Sequence, residues 1–391
     1  MRAESFGYDE CYKALNFKPK TSNFKFDLMK CGIVGLPNVG KSTLFNCLSN
    51  AKAQSANYPF CTIEPNLGTV SVPDVRLFEL EKIVNPERVL PAVVEIVDIA
   101  GLVKGASKGE GLGNQFLANI RECEAIIHVL RCFDNGNIIH VEGSVDPIRD
   151  KEIIDIELQL KDLEAIGKAV DKAKKFLKSG KKEDLLTYDI LLKLQTFVEE
   201  GKNAREFPAD DFAVSIISEI QLLTNKPVLY VCNVDENSIK NGNDWIAKIE
   251  EMAKSENAEV VVLAAQIEAD INELETFEER QMFLEELGLE EPGVNRLIRK
   301  AYDLLKLQTY FTAGVKEVRA WTIGQGWTAP QAAGVIHTDF EKGFIRAEVI
   351  KYNDYMTYGS ESKVKEAGKL SVEGKEYVVQ DGDIMHFRFN V

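Results

Sequence analysis

Residues 29–132 alternate short apolar runs with stretches of helical periodicity. The runs at 31–34, 93–97 and 126–130 have strand length, are rich in Ile and Val, and read as buried parallel strands. Strands alternating with helices predict a doubly wound α/β sheet. From Ile153 the pattern changes. Ile153, Ile156, Leu160, Leu163, Ile166, Val170 and Leu177 recur at helical spacing, the stripe of an amphipathic helix with a coiled-coil-like seam. Ser179, Gly180, Lys181 and Lys182 interrupt it. Leu186, Ile190, Leu194 and Phe197 then mark a second helix, expected to return antiparallel as a protruding hairpin. Strand character resumes at 228–232 and 260–263, so the hairpin, bounded at 150–205, is expected as an insertion in one α/β domain over 29–304.

Beyond Leu305 glycines punctuate short strands at 315–322, 344–349 and 377–379, and a last strand alternates Met385, Phe387, Phe389 and Val391 on one face. A separate small α+β domain over 305–391 is expected. Residues 1–28 are polar and aperiodic, with Met29 directly ahead of the first strong strand. They are expected to form an extension outside the fold, from a misassigned start or an appended remnant.

The bulk numbers fit this division. A chain of 391 residues exceeds what one core usually serves, and 45% hydrophobic with 28% charged residues is ordinary globular composition, which excludes disordered and fibrous classes. The net charge of −15 gives no global attraction to nucleic acid or anionic membrane. No DNA partner is expected, and an RNA contact must use a local basic patch. The seven cysteines include no C-x-x-C pair, and Cys31, Cys47, Cys132 and Cys232 lie in apolar segments, which reads as buried thiols in a reducing compartment. No apolar run approaches ~18 residues and no secretory pattern opens the chain, so a cytoplasmic protein without membrane contact is expected.

The strongest chemical signal follows the first strand. Gly35-Leu36-Pro37-Asn38-Val39-Gly40-Lys41-Ser42 fits G-x-x-x-x-G-K-[ST] at a strand-to-helix turn, where it builds a phosphate cradle. Backbone N–H groups over Asn38, Val39, Gly40, Lys41, Ser42 and Thr43, with the helix N-terminus, would face the phosphates. Lys41 would reach the β- and γ-phosphates, and Ser42 would place its hydroxyl on Mg²⁺. Asp98-Ile99-Ala100-Gly101 ends the strand at 93–97 and fits D-x-x-G, which makes Asp98 the Mg²⁺ carboxylate and Gly101 the γ-phosphate sensor. Between them Thr62 is a candidate switch threonine that closes over Mg²⁺ in the triphosphate state, or a surface threonine. After Gly101 the glycines at 105, 109, 111 and 113 suit a mobile second switch, and Leu102 stands where Ras-like proteins carry the water-orienting glutamine.

Guanine-specific relatives of this class read the base with N-K-x-D. This chain has Asn233-Val234-Asp235-Glu236, so Val234 replaces the lysine and Glu236 is one methylene longer than the aspartate. The guanine clamp is disrupted, while Asn233 could still hydrogen-bond a base edge. The small residues Leu263-Ala264-Ala265 mark a further base-side loop, or merely a turn. Among the histidines, His128 lies in an apolar run and reads as a core residue, whereas His140 follows the strand in a loop that could swing inward.

Gly-Leu-Pro-Asn-Val-Gly-Lys-Ser-Thr, Asp-Ile-Ala-Gly-Leu-Val-Lys-Gly-Ala-Ser and Phe-Cys-Thr-Ile-Glu-Pro-Asn together resemble the YchF subfamily of Obg-like ATPases, over 29–391. The resemblance implies a hydrophobic residue at the glutamine position, as Leu102 is. It implies a histidine in its place, matched by His140, and ATP in preference to GTP. Leu307-Gln308-Thr309-Tyr310-Phe311-Thr312 and His337-Thr-Asp-Phe-Glu-Lys-Gly-Phe-Ile-Arg resemble a TGS domain, a β-grasp module. Nothing catalytic stands out there, and Asp339, Glu341 and Asp383 read as solvated turn residues. Lys172, Lys174, Lys175, Lys178, Lys181 and Lys182 crowd the expected hairpin tip, as a solvated face or as a contact for rRNA phosphates. Family resemblance points to ribosomal subunits as partners.

The leading expectation is a Mg²⁺-dependent ATPase with low intrinsic turnover, His140 and Lys41 catalytic, and nucleotide-switched binding to the ribosome or other translation or stress-response partners. A GTPase of translation and an ATP-gated binding module with negligible hydrolysis are the alternatives.

Overall fold

The computed structural model describes residues 29–54, 67–99, 112–136, 140 and 143–390. In chain order they form β1 (Lys30–Val34), α1 (Lys41–Gln54), β2 (Leu67–Ser71), α2 (Val75–Val84), β3 (Val89–Leu90), β4 (Val93–Asp98), α3 (Leu112–Arg121), β5 (Ala125–Arg131), α4 (Pro147–Phe176) and α5 (Lys182–Glu199). There follow α6 (Asp211–Ile220), β6 (Val228–Asn233), α7 (Glu236–Asn241), α8 (Asp244–Ser255), β7 (Glu259–Leu263), α9 (Ala265–Glu273), α10 (Phe277–Leu287) and α11 (Gly293–Leu304). The chain closes with β8 (Leu307–Ala313), β9 (Val318–Gly324), α12 (Ala329–Ile336), α13 (Thr338–Lys342), β10 (Phe344–Ile350), α14 (Tyr352–Tyr358), α15 (Glu361–Glu366), β11 (Ser371–Glu373) and β12 (Ile384–Phe389).

Contacts divide the chain into two units. The larger one, residues 29–71 and 94–305, is built on a sheet of order β2-β4-β1-β5-β6-β7. β1 pairs parallel with β4 and with β5, β5 with β6, and β6 with β7. The strands at the middle carry apolar side chains on both faces because helices cover both, and every residue of β5 and β6 is buried. Cys31, Cys47, Cys123, Cys132 and Cys232 are free and buried in this unit.

α4 and α5 form the hairpin, joined by a 3-10 turn over Leu177–Ser179 that closes with Gly180 in the left-handed region (φ 70°). Ile166, Val170 and Ala173 of α4 meet Leu191, Leu194 and Val198 of α5, with Ile217 of α6 and Leu222 completing a small core of their own. The seam differs from the expected stripe. Ile156 and Leu160 are 52% and 44% exposed, and the first half of α4 buries Lys151, Asp155, Gln159 and Asp162 instead. These polar groups are paired: Lys151 with Asp155 (2.9 Å) and with Glu256, Asn203 with Asp155 (3.1 Å), and Gln159 with Asn203 (2.9 Å). Asp162 accepts the backbone N–H groups of Leu223 and Thr224, both at 2.7 Å. Periodicity counts only apolar residues and is blind to a face satisfied by hydrogen bonds.

The second unit contains the chain from Lys306 together with Val72–Val93, a segment expected in the nucleotide-binding domain. β3 pairs parallel with β9 (Val89↔Val318, Leu90↔Arg319), and Arg76 of α2 donates to Asp381 at 2.6 Å. A strand of two residues leaves no pattern from which this excursion could be read. The sheet order is β11-β10-β12-β8-β9-β3, and its core sets Tyr310, Ile323, Val349, Met385 and Phe387 against Ala329, Ala332 and Ala333 of α12, a β-grasp arrangement.

Two expected strands change. Val315 is 72% exposed in the β8–β9 turn, so that strand begins at Val318, and residues 377–379 contribute only the bridge from Val378 to Thr328. Asp383, expected in a solvated turn, is buried and accepts from Tyr377 Oη (2.6 Å), Lys351 Nζ (2.7 Å) and the Gln380 backbone (2.9 Å).

Candidate nucleotide-binding site

β1 delivers the chain to the phosphate loop with Ile33 and Val34 fully buried, and the loop turns through Asn38 (φ 64°) and Gly40 (φ 92°) before α1 opens at Lys41. A Cβ on Gly40 would lie 2.2 Å from Asn233 Nδ2, and one on Gly35 2.8 Å from the Val129 carbonyl of β5. Both approaches need glycine, which is the physical content of the motif. Val39 is buried, Asn38 and Ser42 are exposed, and Thr43 is half-buried.

Lys41 is buried and forms an ion pair with Asp98 at the end of β4. The two residues assigned to phosphate and metal therefore meet across the β1–β4 pair, each neutralising the other. Lys41 carries the positive charge that phosphate oxygens would pair with. Asp98 and the Ser42 hydroxyl are hard oxygen donors of the kind Mg²⁺ takes alongside phosphates, so the residues present fit that ion. Thr62, Gly101 and Leu102 lie outside the described residues.

Asn233 has a structural role that the sequence reading did not include. Its amide Nδ2 donates to the Val39 carbonyl at 2.8 Å, and its Oδ1 accepts from the Ala265 backbone N–H at 2.9 Å. The side chain is buried and both ends are engaged. It ties the phosphate loop to the start of α9, using one of the two hydrogens of its amide. Val234 is buried, with its N–H on the Leu263 carbonyl at 2.9 Å, while Glu236 is exposed in the first turn of α7, which Asp235 caps through Ser238 N (2.8 Å). Ala265 thus enters the site through its backbone, a contact no side-chain motif could signal.

Past β5, the buried Arg131 holds the exit turn by donating to the carbonyls of Phe133 (3.2 Å) and Asn135 (3.4 Å). His140 is not an exposed loop residue. Its side chain is 6% exposed, and Nε2 lies 2.8 Å from Oδ2 of Asp150, which is 1% exposed in the first turn of α4. Asp150 escaped the sequence reading, although Asp146-Pro147 marks the helix start that presents it. His128 is a core residue as expected, yet its Nε2 has no hydrogen-bond partner among the described residues. Burial lowers its pKa to about 4 against the partly offsetting charge of Asp155.

A family model described as "50S ribosome-binding GTPase" matches residues 30–177, and a model for the YchF GTPase C-terminal part, described as "Protein of unknown function (DUF933)", matches residues 307–390. "Ribosome-binding ATPase YchF" of Haemophilus ducreyi is 58% identical over 93% of this chain and 99% of its own length. The chain belongs to the YchF family. The YchF protein of Bacillus subtilis is 54% identical over 93% of this chain and all of its own length. "Obg-like ATPase 1" of Rattus norvegicus is 48% identical over 93% and 92%. The solved structure of the Schizosaccharomyces pombe YchF GTPase superposes with a TM-score of 0.83 at 39% identity, covering 92% of this chain and 97% of that one. The names of these YchF relatives divide between ATPase and GTPase, which leaves the base to be argued from residues.

Proposed function

We propose that this protein is a Mg²⁺-dependent ATPase that hydrolyses ATP to ADP and phosphate and binds the ribosome in a nucleotide-dependent way. The observation that carries the base assignment is the state of the N-K-x-D position. Buried Val234 stands where a guanine reader has lysine, Glu236 replaces the aspartate, and Asn233 is occupied within the protein. The lysine and the aspartate of the guanine clamp are both absent, so guanine loses the two contacts that select it. The ATPase names of the bacterial and rat relatives support the same reading.

In this reading Asn38 to Thr43 wrap the phosphates, Lys41 neutralises β- and γ-oxygens, and Ser42, Asp98 and Thr62 hold Mg²⁺, which supplies charge neutralisation at the γ-phosphoryl group. Gly101 senses the γ-phosphate. His140 handles the attacking water in place of the glutamine that Leu102 replaces. Without an activating partner, turnover is slow.

The lysines at 172, 174, 175, 178, 181 and 182 are all exposed around the hairpin end, a local basic patch on an acidic chain suited to rRNA phosphates. Reversing their charges abolishes co-sedimentation with ribosomes at low salt, and unchanged co-sedimentation would remove the tip from the account. Fluorescent ATP and GTP analogues, each competed by its unlabelled counterpart with Mg²⁺ present, test the base assignment. Tighter GTP binding would overturn it.

A further inference from the structure

The His140–Asp150 pair is built more firmly than a loop contact. Asp146 caps α4 by accepting from Arg149 N at 3.2 Å, and Pro147 fixes the first turn. Arg149 then reaches Asp150 Oδ1 with Nη2 at 3.1 Å, which leaves Oδ2 directed at His140 Nε2 at 2.8 Å. The next residue, Lys151, is locked to Asp155 and Glu256, and Glu256 is held in turn by Arg205 (3.0 Å) and Tyr230 Oη (2.7 Å) of β6. The carboxylate of Asp150 is therefore fixed by its own helix, by a guanidinium on one oxygen and by a buried network that ties α4 to the sheet. Breaking the His140 contact would leave a buried carboxylate half-satisfied, so the pair is a persistent arrangement rather than a labile latch.

We infer that Asp150 is a positioning residue for hydrolysis, which accepts the Nε2 proton of His140 and thereby fixes the tautomer and orientation of the ring. This rests on the reading of His140 as the group that handles the attacking water. In this proposal the carboxylate only accepts, so Nε2 carries the hydrogen and the ring takes the water proton at Nδ1. In the hydrolytic step the water oxygen bonds to the γ-phosphorus while the bond to the β–γ bridging oxygen breaks. The water proton passes to Nδ1 and returns to phosphate or solvent when ADP and phosphate leave. Asp150 is not protonated in that sequence. It stabilises the imidazolium that forms, as an orienting carboxylate behind a catalytic histidine does.

The experiment combines steady-state ATP turnover with ¹⁵N spectroscopy of the full-length protein. Asp150→Asn keeps the volume but can present either an oxygen or an amide, so it lowers kcat by roughly tenfold or more with KM little changed. In a His140→Ala background it causes no further loss. The ¹⁵N signature of His140 in the unmodified protein shows hydrogen on Nε2, a measurement that needs no variant to fold. Unprotonated Nε2, unchanged or raised kcat in Asp150→Asn, or an additional loss in the double variant would each overturn the inference. Full turnover by His140→Ala identifies a different failure, that of the catalytic reading itself, and removes the role of Asp150 with it.

Discussion

The side-chain amide of Asn233 donates to the carbonyl of Val39 across 2.8 Å, while its oxygen takes the N–H of Ala265 at 2.9 Å. One residue at the end of β6 thus fixes the shape of a loop almost two hundred positions earlier in the chain. A brace alone and a brace that also reads the base make different predictions. Asn233→Ala removes two buried hydrogen bonds, about 1–3 kcal/mol, and weakens ATP and GTP binding together by roughly 10- to 100-fold with their ratio unchanged. Parallel equilibrium titrations check this, and a changed ratio would return Asn233 to the base.

Gly40→Ala strikes the same contact from the other side. The added methyl lies 2.2 Å from Asn233 Nδ2 on a backbone with φ 92°, so both the strain and the clash displace the brace. Nucleotide binding falls below detection, while the thermal midpoint drops by only a few degrees, on the order of 1 kcal/mol, because the loop bears little of the core. Calorimetric titration and a melting curve on the same sample read both quantities.

In the proposed site the ion pair between Lys41 and Asp98 would compete with phosphate for the lysine. Asp98→Asn removes that competitor together with the proposed metal ligand. ATP binding measured in EDTA then tightens about fivefold, from roughly 1 kcal/mol of released pairing, whereas the gain that Mg²⁺ adds to ATP binding is lost. An unchanged affinity in EDTA would mean that the pair does not oppose phosphate binding.

His128 gives the pH dependence a definite sign. Its folded pKa is lowered to about 4 from 6.5, chiefly by burial, with Asp155 and Glu256 opposing the shift and Lys151 and Arg205 adding to it. Between these two values the unfolded chain binds a proton that the folded chain refuses, so stability falls as pH drops from 6.5 towards 4, by up to about 3 kcal/mol. Replacing His128 with Leu removes both the titration and the orphaned Nε2, and denaturant midpoints at pH 7 and pH 4.5 fall closer together than in the unaltered protein.

The candidate phosphate site was legible because its residues are local in sequence. Gly35 to Ser42 sit on one strand-to-helix turn, and Asp98 ends the strand that pairs beside it. The hairpin was legible in outline from Ile166, Val170 and Leu194, which do form its core. Illegible features depend on contacts between distant residues. Ile156 and Leu160 are turned outward because Asp155, Gln159 and Asp162 on the same helix have buried partners on other elements. The excursion of Val72–Val93 into the C-terminal unit rests on a two-residue strand and on Arg76 reaching Asp381. Asn233 and Asp150 were missed in their structural roles because each acts through a partner that sequence spacing does not mark.

Phosphate release from ATP and from GTP, measured with purified protein at equal nucleotide concentration with Mg²⁺ and again with EDTA, tests the central claim most directly. The account predicts slow release from ATP that requires Mg²⁺ and is lost in Lys41→Ala, with release from GTP well below it. Release from GTP equal to or faster than that from ATP, or no Mg²⁺-dependent release from either, would contradict it.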